Sequence, residues 1–348
     1  MRDEIEVYHA VSIGTGVLSL VLNLILFAST RIPATTVTFC RLSMVIRLFA
    51  VNDIVYSIVF VLVEPRTVCR NGILMIVPTN TFANCIGGRY LFLLFVFESA
   101  GQLVLTGHIF FYRYSVVCRT PFLKWYVWRY SSYLNMFIDF VATVTIVVYV
   151  AFVFYPIDGL RAQGRIHLAG IVDDIDVQSV FFLGSDMRVP MTTLCKVLLG
   201  LFYLHFLIIF FLIVFSGVQI HRYLASNAFT DDTRRVHRTV QKMLIIQVYF
   251  SLSILDRCST FQTMNPVLFL FVPLLIEFLS VIFYADTTSF ASLLAYLQLF
   301  PPIINPIIFI GMTREYRDYV KSRYHAMVGR KDSMLPVSRR MPLKVFET

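Results

Sequence analysis

The sequence predicts an all-α membrane protein whose seven transmembrane helices form a bundle. Hydrophobic residues make up 57% of the 348 residues and charged residues only 15%, and a soluble fold of this size has too little interior to bury so much apolar surface. The apolar residues also occur in blocks about as long as a helix needs to cross a bilayer. Because these blocks do not alternate apolar with polar residues, as barrel strands do, a helical bundle is the predicted architecture.

Seven apolar blocks define the predicted spans. Five contain a long run without a charged residue, and two carry one acid each, Asp53 in span two and Glu98 in span three. The predicted spans are 8–29, 48–64, 90–113, 132–155, 197–220, 263–284 and 290–312. We therefore expect a bundle over residues 1–320 and a tail from 321 to 348.

The positions of Lys and Arg predict the orientation of the chain, because these residues are retained on the cytoplasmic side of short loops. Most of the 30 in the chain follow spans one, three and five or lie in the tail. We expect the amino terminus outside and the carboxyl terminus in the cytoplasm. The net charge of +9 therefore faces an anionic inner leaflet, and we do not expect nucleic-acid binding.

The region around span six is about twice as long as one crossing needs. Val240 to Tyr284 has Asp256 and Arg257 in its middle. Residues 248–262 are predicted to be either a real insertion or a short intron left in the gene model.

Polar side chains inside the spans are candidates for function, because a buried acid needs a partner, water or a proton. Asp53 and Asn305 lie at similar depths from the inner side, within reach of each other. Glu98 and Gln102 share one face of span three in its outer half, which suits a pocket for a cationic or hydrogen-bonding ligand. Bonding of a protonated Glu98 to a neighbouring helix is the alternative.

Four stretches carry a family resemblance. Residues 48–57 run on to Val63-Glu64-Pro65, and in residues 107–114 His108 precedes Tyr112-Arg113-Tyr114. The other two are residues 244–247 and residues 300–306 with 314–317. In this order and spacing they resemble the second, third, sixth and seventh spans of nematode seven-helix chemoreceptors, the serpentine receptors of the Str superfamily.

The resemblance implies a chemosensory G-protein-coupled receptor for an odorant-like or pheromone-like small molecule. It implies a heterotrimeric G protein as partner, the plasma membrane as location and the cilia of sensory neurons as a candidate site. The residues it assigns to G-protein coupling are Tyr112, Arg113, Tyr114, Arg234, Arg235 and Arg238. Those it assigns to an activation switch are Asp53, Asn305 and Pro306. The alternatives are a snorkelling Arg113 and a static Asp53–Asn305 contact.

Two residues depart from the pattern of rhodopsin-like receptors. Tyr112 stands where many of them have an acid, so that no adjacent carboxylate restrains Arg113. The motif that starts at Asn305 ends in Phe309 rather than Tyr and lacks the hydroxyl group. Any restraint on Arg113 must therefore come from elsewhere.

Three cysteines, Cys69, Cys85 and Cys195, lie on the predicted outer side, where disulfides persist. By resemblance to many receptors of this architecture, Cys85 would bridge to Cys195 and hold the second outer loop against the bundle. Cys69–Cys85 is the competing pair, and the odd count leaves both open.

Motifs for phosphate binding, metal binding and nucleophilic catalysis are missing from the sequence. We therefore expect no enzyme activity, no cofactor and no metal. The alternative function is a multi-span transporter, although no internal repeat supports it. Its proton or substrate sites would be the acids Asp53, Glu98, Asp139 and Glu277.

Overall fold

The computed structural model describes residues 2–31, 37–70, 73–80, 88–118, 120–122, 131–154, 182–186, 188, 192–226, 273, 276, 279–280, 291–312 and 314–327. The helices in these ranges are α1 (Arg2–Ser29), α2 (Val37–Val63), α3 (Gly88–Val117), α4 (Ser131–Val153), α5 (Thr193–Ser226), α6 (Ala291–Leu299), α7 (Pro301–Met312) and α8 (Arg314–Met327). The strands are β1 (Pro65–Arg70), β2 (Ile73–Pro78) and β3 (Leu183–Asp186).

Five of the described helices, α1 to α5, are long and apolar enough to cross a membrane. The predicted seventh span is divided into α6 and α7, with a break at Phe300. The predicted sixth span, 263–284, lies outside the described residues except for Pro273, Ile276, Leu279 and Ser280, which are helical. The segment 248–262 also lies outside them, and its status as an insertion stays a prediction.

α1 buries small and polar side chains and exposes apolar ones. Ser12, Ser19 and Asn23 are fully or almost fully buried, whereas large aliphatic residues such as Val17 and Leu24 are about half exposed. Gly16 lies on the buried face, where an added Cβ would stand 2.5 Å from Cγ2 of Val61 on α2. This is the arrangement expected of a helix in lipid, where small residues allow close helix packing.

α3 is the central helix of the described bundle. In an apolar stretch of 18 residues in α3, 67% of the residues are buried, compared with 11% in a stretch of the same length in α5. It packs against α2, α4 and α5. Side chains on α3 are therefore well placed to contact several helices at once.

A three-stranded antiparallel sheet closes one end of the bundle. β1 follows α2 and pairs with β2 from Pro65 opposite Pro78 to Arg70 opposite Ile73, and β2 pairs with β3. β1 packs on α6, and the N–H of Gly184 in β3 donates to the carbonyl of Phe154 after α4. We call this the sheet end and the opposite end, around Phe309 and Tyr316, the far end.

The two ends have separate apolar clusters. At the sheet end, aromatic residues of α1, α2 and α3 share a cluster with strand residues such as Cys69 and Leu183. At the far end, Leu26, Phe49 and Ile109 pack with Phe309 of α7 and Tyr316 of α8. Ser43 of α2 joins this end as well, because it accepts a hydrogen bond from the Tyr316 hydroxyl at 3.2 Å and donates to the carbonyl of Thr30.

Candidate functional site

Asp53 is the point where α2, α3 and α7 meet. Its side chain is fully buried. Nε2 of Gln102 on α3 donates to Oδ1 at 2.7 Å, and Nδ2 of Asn305 on α7 lies 3.5 Å from Oδ2. The structure thus brings Asp53 and Asn305 together, with the shorter and stronger bond made by Gln102.

Prolines leave two carbonyl groups of α6 and α7 without their helical partners, because proline has no N–H to donate four residues back. Pro302 frees the carbonyl of Gln298, which accepts a hydrogen bond from the Tyr56 hydroxyl at 3.2 Å. Pro306 in turn frees the carbonyl of Pro302, which accepts from Nδ2 of Asn23 at 2.7 Å. Side chains of α1 and α2 therefore satisfy backbone groups that α6 and α7 cannot satisfy themselves.

Two serines extend these contacts into a connected set. Oγ of Ser19 lies 2.6 Å from Oγ of Ser57 and 3.1 Å from the Pro302 carbonyl, and the Ser57 hydroxyl donates to the backbone carbonyl of Asp53 at 2.7 Å. We call the whole set the polar network. Its members are Ser19, Asn23, Asp53, Ser57, Gln102, Pro302 and Asn305.

The sequence analysis identified only part of the polar network. Ser19, Asn23 and Ser57 were missed, although a signal for two of them is present in the sequence. Pro306 lies four residues after Pro302 and predicts an unpaired carbonyl, and small or polar residues recur on one face of α1 from Ser12 to Asn23. Read together, these features indicate a donor on α1.

Glu98 and Gln102 share a face of α3 but have different surroundings. Gln102 donates to Asp53, and within the described chain its Oε1 is buried without a hydrogen-bond partner. Glu98 is only 8% exposed, and its carboxylate makes no hydrogen bond to another described residue. The backbone carbonyl of Glu98 accepts from Asn52 at 3.3 Å, next to Gly101, where an added Cβ would stand 2.6 Å from Asn52 Oδ1. Within the described part of the chain, Glu98 is thus a buried acid whose carboxylate has no hydrogen-bond partner.

Arg113 lies at the far end of α3 and is 7% exposed. Its guanidinium carbon stands 5.6 Å from the centre of the Phe309 ring on α7, a cation–π distance. Phe309 is in edge contact with Phe49 of α2, with ring centres 6.1 Å apart. The side chain is therefore turned into the bundle, and the ring of Phe309 supplies a restraint where no acid is available.

The other predicted coupling residues are distributed around Arg113. Tyr112 is buried, and Tyr114 packs edge-on against Phe215 of α5 with ring centres 5.5 Å apart. Arg234, Arg235 and Arg238 lie outside the described residues. Their part in coupling stays a prediction.

His108 joins α3 to α4. Its Nδ1 lies 2.5 Å from Oδ2 of Asp139, one of the acids that the transporter alternative would use. Asp53 is bonded as well, and Glu277 lies outside the described residues. In the described part of the chain, no group of three His, Cys, Asp or Glu side chains is arranged to hold a metal ion.

Glu64 occupies an unusual position at the sheet end, between α2 and Pro65. Its φ angle is 46°, in the left-handed region that non-glycine residues rarely adopt. The N–H and hydroxyl of Thr79 both donate to the Glu64 carbonyl, at 3.1 and 2.8 Å, and Oε1 lies 2.7 Å from Nδ1 of His9 on α1. Burial raises the pKa of the Glu64 carboxyl, although the contacts with His9 and the charge of Arg66 act to lower it.

The predicted Cys85–Cys195 disulfide stays a prediction. Cys195 lies in the first turn of α5, where its N–H donates to the Thr192 hydroxyl at 3.3 Å, and it has a free thiol within the described part of the chain. Cys85 lies outside that part. Cys69 of the competing pair is fully buried in β1.

Comparison with known proteins assigns the family. The family model described as serpentine type 7TM GPCR chemoreceptor Str matches residues 8–256 and 258–321. The match includes all but one residue of the segment 248–262. No curated protein matches the chain. With this match, the resemblance and the seven-helix bundle predicted from the sequence are confirmed, and the chain belongs to the Str family of serpentine chemoreceptors.

Proposed function

We propose that this chemosensory receptor binds a small external ligand within its bundle and activates a heterotrimeric G protein at the plasma membrane. We further propose that its amino terminus is outside and that it acts in the cilia of sensory neurons. The observation that supports receptor activation best is the set of contacts along α3. This one helix carries the buried Glu98, the network residue Gln102 and the buried Arg113.

The ligand contact in this proposal is Glu98. An acid that is 8% exposed and has no hydrogen-bond partner in the described chain is costly to keep ionised, so that a ligand donor which bonds to it gains affinity. Gln102 lies one turn further along the same face and donates to Asp53. A ligand at Glu98 therefore acts next to the polar network.

The polar network and Arg113 are the switch in this proposal. Asp53, Gln102 and Asn305 connect α2, α3 and α7, and the cation–π contact of Arg113 connects α3 with α7 about 22 Å from Glu98 along the helix. A ligand that binds one arrangement of α3 and α7 more tightly than another shifts the population toward it. Release of Arg113 from Phe309 then frees a cationic side chain for the G protein.

Stimulated nucleotide exchange tests this function directly. Membranes that contain the receptor and purified heterotrimeric G proteins are exposed to a panel of small volatile and water-soluble compounds, and GTP exchange is measured. We expect at least one compound to stimulate exchange, and Glu98→Gln to weaken its potency while surface delivery is kept. Tyr133→Ala on the exposed face of α4 is the control, and we expect it to leave the potency of the compound unchanged.

Two outcomes would overturn the proposal. The first is a receptor that reaches the surface but stimulates no exchange on any G protein. The second is flux of a compound through purified protein in vesicles, which would favour the transporter alternative.

A further inference from the structure

Arg66 is a buried cation at the sheet end whose donors are not all used. It lies in β1 just after the α2–β1 junction, and it is 5% exposed. Its guanidinium carbon stands 4.5 Å from the centre of the Tyr8 ring on α1. Within the described chain, its Nε and Nη2 atoms are buried and have no hydrogen-bond partner.

The two unused donors share one edge of the guanidinium group. This edge matches the two oxygens of a carboxylate, which it binds through a pair of parallel hydrogen bonds. Arg188, two residues after β3, shows the same pairing, because its Nε and Nη2 each donate at 2.9 Å to an oxygen of Asp186. The edge of Arg66 that corresponds to the Asp186-binding edge of Arg188 is therefore buried and unoccupied by any described residue.

Glu64, two residues before Arg66, does not satisfy this edge. It is close enough for Arg66 to lower the pKa of its carboxyl group, but its Oε1 is paired with His9. The Tyr8 hydroxyl is also engaged, since it donates to the carbonyl of Pro65 at 3.3 Å. Among the described residues, those in contact with Arg66 thus hold it in place without supplying an anion to this edge.

The ring on which Arg66 lies belongs to an aromatic cluster. Tyr8 is in edge contact with Tyr296 of α6, with ring centres 5.2 Å apart, and it belongs to the same cluster as Tyr56 and Phe60 of α2. A cation held on an aromatic ring in an apolar enclosure favours an anion that carries an apolar body. A single guanidinium charge balances the one charge of a monocarboxylate, whereas a phosphate monoester carries about −1.5 to −2 charge at pH 7.

We propose that Arg66 binds the carboxylate of a small apolar acid at the sheet end, in a site separate from the ligand contact at Glu98. The proposal goes beyond the proposed function, because binding here does not depend on nucleotide exchange. Since Nε and Nη2 are buried, the acid reaches them only when the contacts around Arg66 open. The aromatic rings of Tyr8 and Tyr296 then contact its apolar body.

Thermal unfolding of the purified receptor tests the proposal without a G protein. The unfolding midpoint is measured with sodium acetate, butyrate, hexanoate or benzoate, at matched ionic strength, and with the methyl ester of each acid. We expect a saturable rise of the midpoint with at least one acid and no rise with its ester. Equal effects of acid and ester, or no effect of any acid on the wild-type protein, would overturn the proposal.

Variants identify the residue responsible. We expect Arg66→Gln to weaken the apparent affinity for the acid roughly tenfold to a hundredfold, and Arg66→Lys to weaken it as well, because an ammonium group cannot form the paired bonds. Arg188→Gln is the control and retains the wild-type affinity. Unchanged affinity in folded Arg66→Lys would overturn the assignment, and so would an equal loss in Arg188→Gln.

The outcomes also separate this inference from the proposed function. Stabilisation by an acid through Arg66, without any stimulated exchange, would support the binding site and overturn the receptor mechanism. Exchange stimulated by a compound, with an unfolding midpoint that no acid raises, would support the mechanism and overturn the carboxylate site.

Discussion

Asp53 joins three helices through one side chain. It is fully buried, with Gln102 at 2.7 Å and Asn305 at 3.5 Å. A buried acid of this kind needs such donors, because an unpaired polar group inside a bilayer is costly. Since the strength of a hydrogen bond falls with distance, the two amides do not contribute equally to the stability of the bundle.

Replacement of the two amides by leucine measures this difference. We expect Gln102→Leu to lower the free energy of unfolding by about 1–3 kcal/mol, because it leaves Oδ1 of Asp53 buried without its donor. Asn305→Leu should cost less, because the lost contact is at 3.5 Å. Equilibrium unfolding in detergent gives both values, and a larger loss for Asn305→Leu would contradict this ranking.

Phe309 takes over a restraint that an acid supplies in many rhodopsin-like receptors. Cation–π contacts contribute about 0.5–2 kcal/mol. We therefore expect Phe309→Leu to raise basal nucleotide exchange about two- to tenfold, since Arg113 is then freer to meet the G protein. Phe309→Tyr retains the ring and should stay near the wild-type level. Basal exchange that is unchanged in Phe309→Leu would show that the ring does not restrain Arg113.

The buried carboxyl of Glu64 predicts a dependence of stability on pH. Burial raises its pKa in the folded protein above the ordinary value of 4.5, so that the folded state binds the proton more readily than the unfolded state. Stability should therefore fall as the pH rises from the ordinary pKa through the raised one. Relative to Glu64→Gln, the wild-type unfolding midpoint should increase as the pH is lowered from about 7 to about 5.

His9 is paired with the Glu64 carboxyl and needs its own control. The comparison of wild type with Glu64→Gln is therefore repeated in a His9→Gln background, which keeps a polar side chain without the charge. The raised pKa of Glu64 would be contradicted if, in both backgrounds, the unfolding midpoint of the protein with Glu64 decreased relative to that with Glu64→Gln as the pH is lowered.

The observed helices agree with the predicted spans within the apolar blocks. They differ from the prediction at Phe300, before the prolines, and the loops form a sheet that was not expected. The blocks that contain Asp53 and Glu98 are helical in α2 and α3, because only a helix satisfies the backbone in lipid. The break at Phe300 has a clear signal in Pro301 and Pro302. The sheet was not expected, although Ile73–Pro78 is rich in β-branched residues, because hydropathy blocks give no information on pairing between loops.

Close approach between α1 and α2 depends on Gly16. An alanine there would place its Cβ 2.5 Å from Cγ2 of Val61. We expect Gly16→Ala to lower the free energy of unfolding by about 1–3 kcal/mol, as overpacking does in a tight interface. Gly14 has nothing within 4 Å, and Gly14→Ala should be neutral or stabilise by up to about 1 kcal/mol. Equal effects of the two substitutions would contradict the close contact.

The bundle as a whole carries three sites along its length. Arg66 and Glu64 lie at the sheet end, the polar network crosses the middle, and Arg113 lies at the far end. The sequence predicted Asp53, Asn305 and Arg113 from their depth in the spans and from the family resemblance. It did not predict Arg66, because contacts between a loop and distant helices have no local pattern. The partners on α1 were missed although Pro306 and the polar face of α1 indicate a donor there.

Contacts between the three sites run through neighbouring helices. Tyr56 of α2 is in ring contact with Phe95 of α3 and donates to the carbonyl of Gln298 on α6, between the sheet-end cluster and the polar network. α7 contributes Pro302 and Asn305 to the network and Phe309 to the far end. A displacement of α3 against α7 therefore affects the network and Arg113 together.

The measurement that tests this mechanism most directly is ligand-stimulated nucleotide exchange by Arg113→Ala, at matched surface delivery. Arg31→Ala is the control, because Arg31 is exposed and stacks on Phe27 of its own helix at 5.1 Å. We predict that Arg113→Ala abolishes stimulated exchange while ligand binding remains and that Arg31→Ala retains both. Full stimulation in Arg113→Ala would contradict the role of Arg113 in coupling and reduce its contact with Phe309 to a structural one.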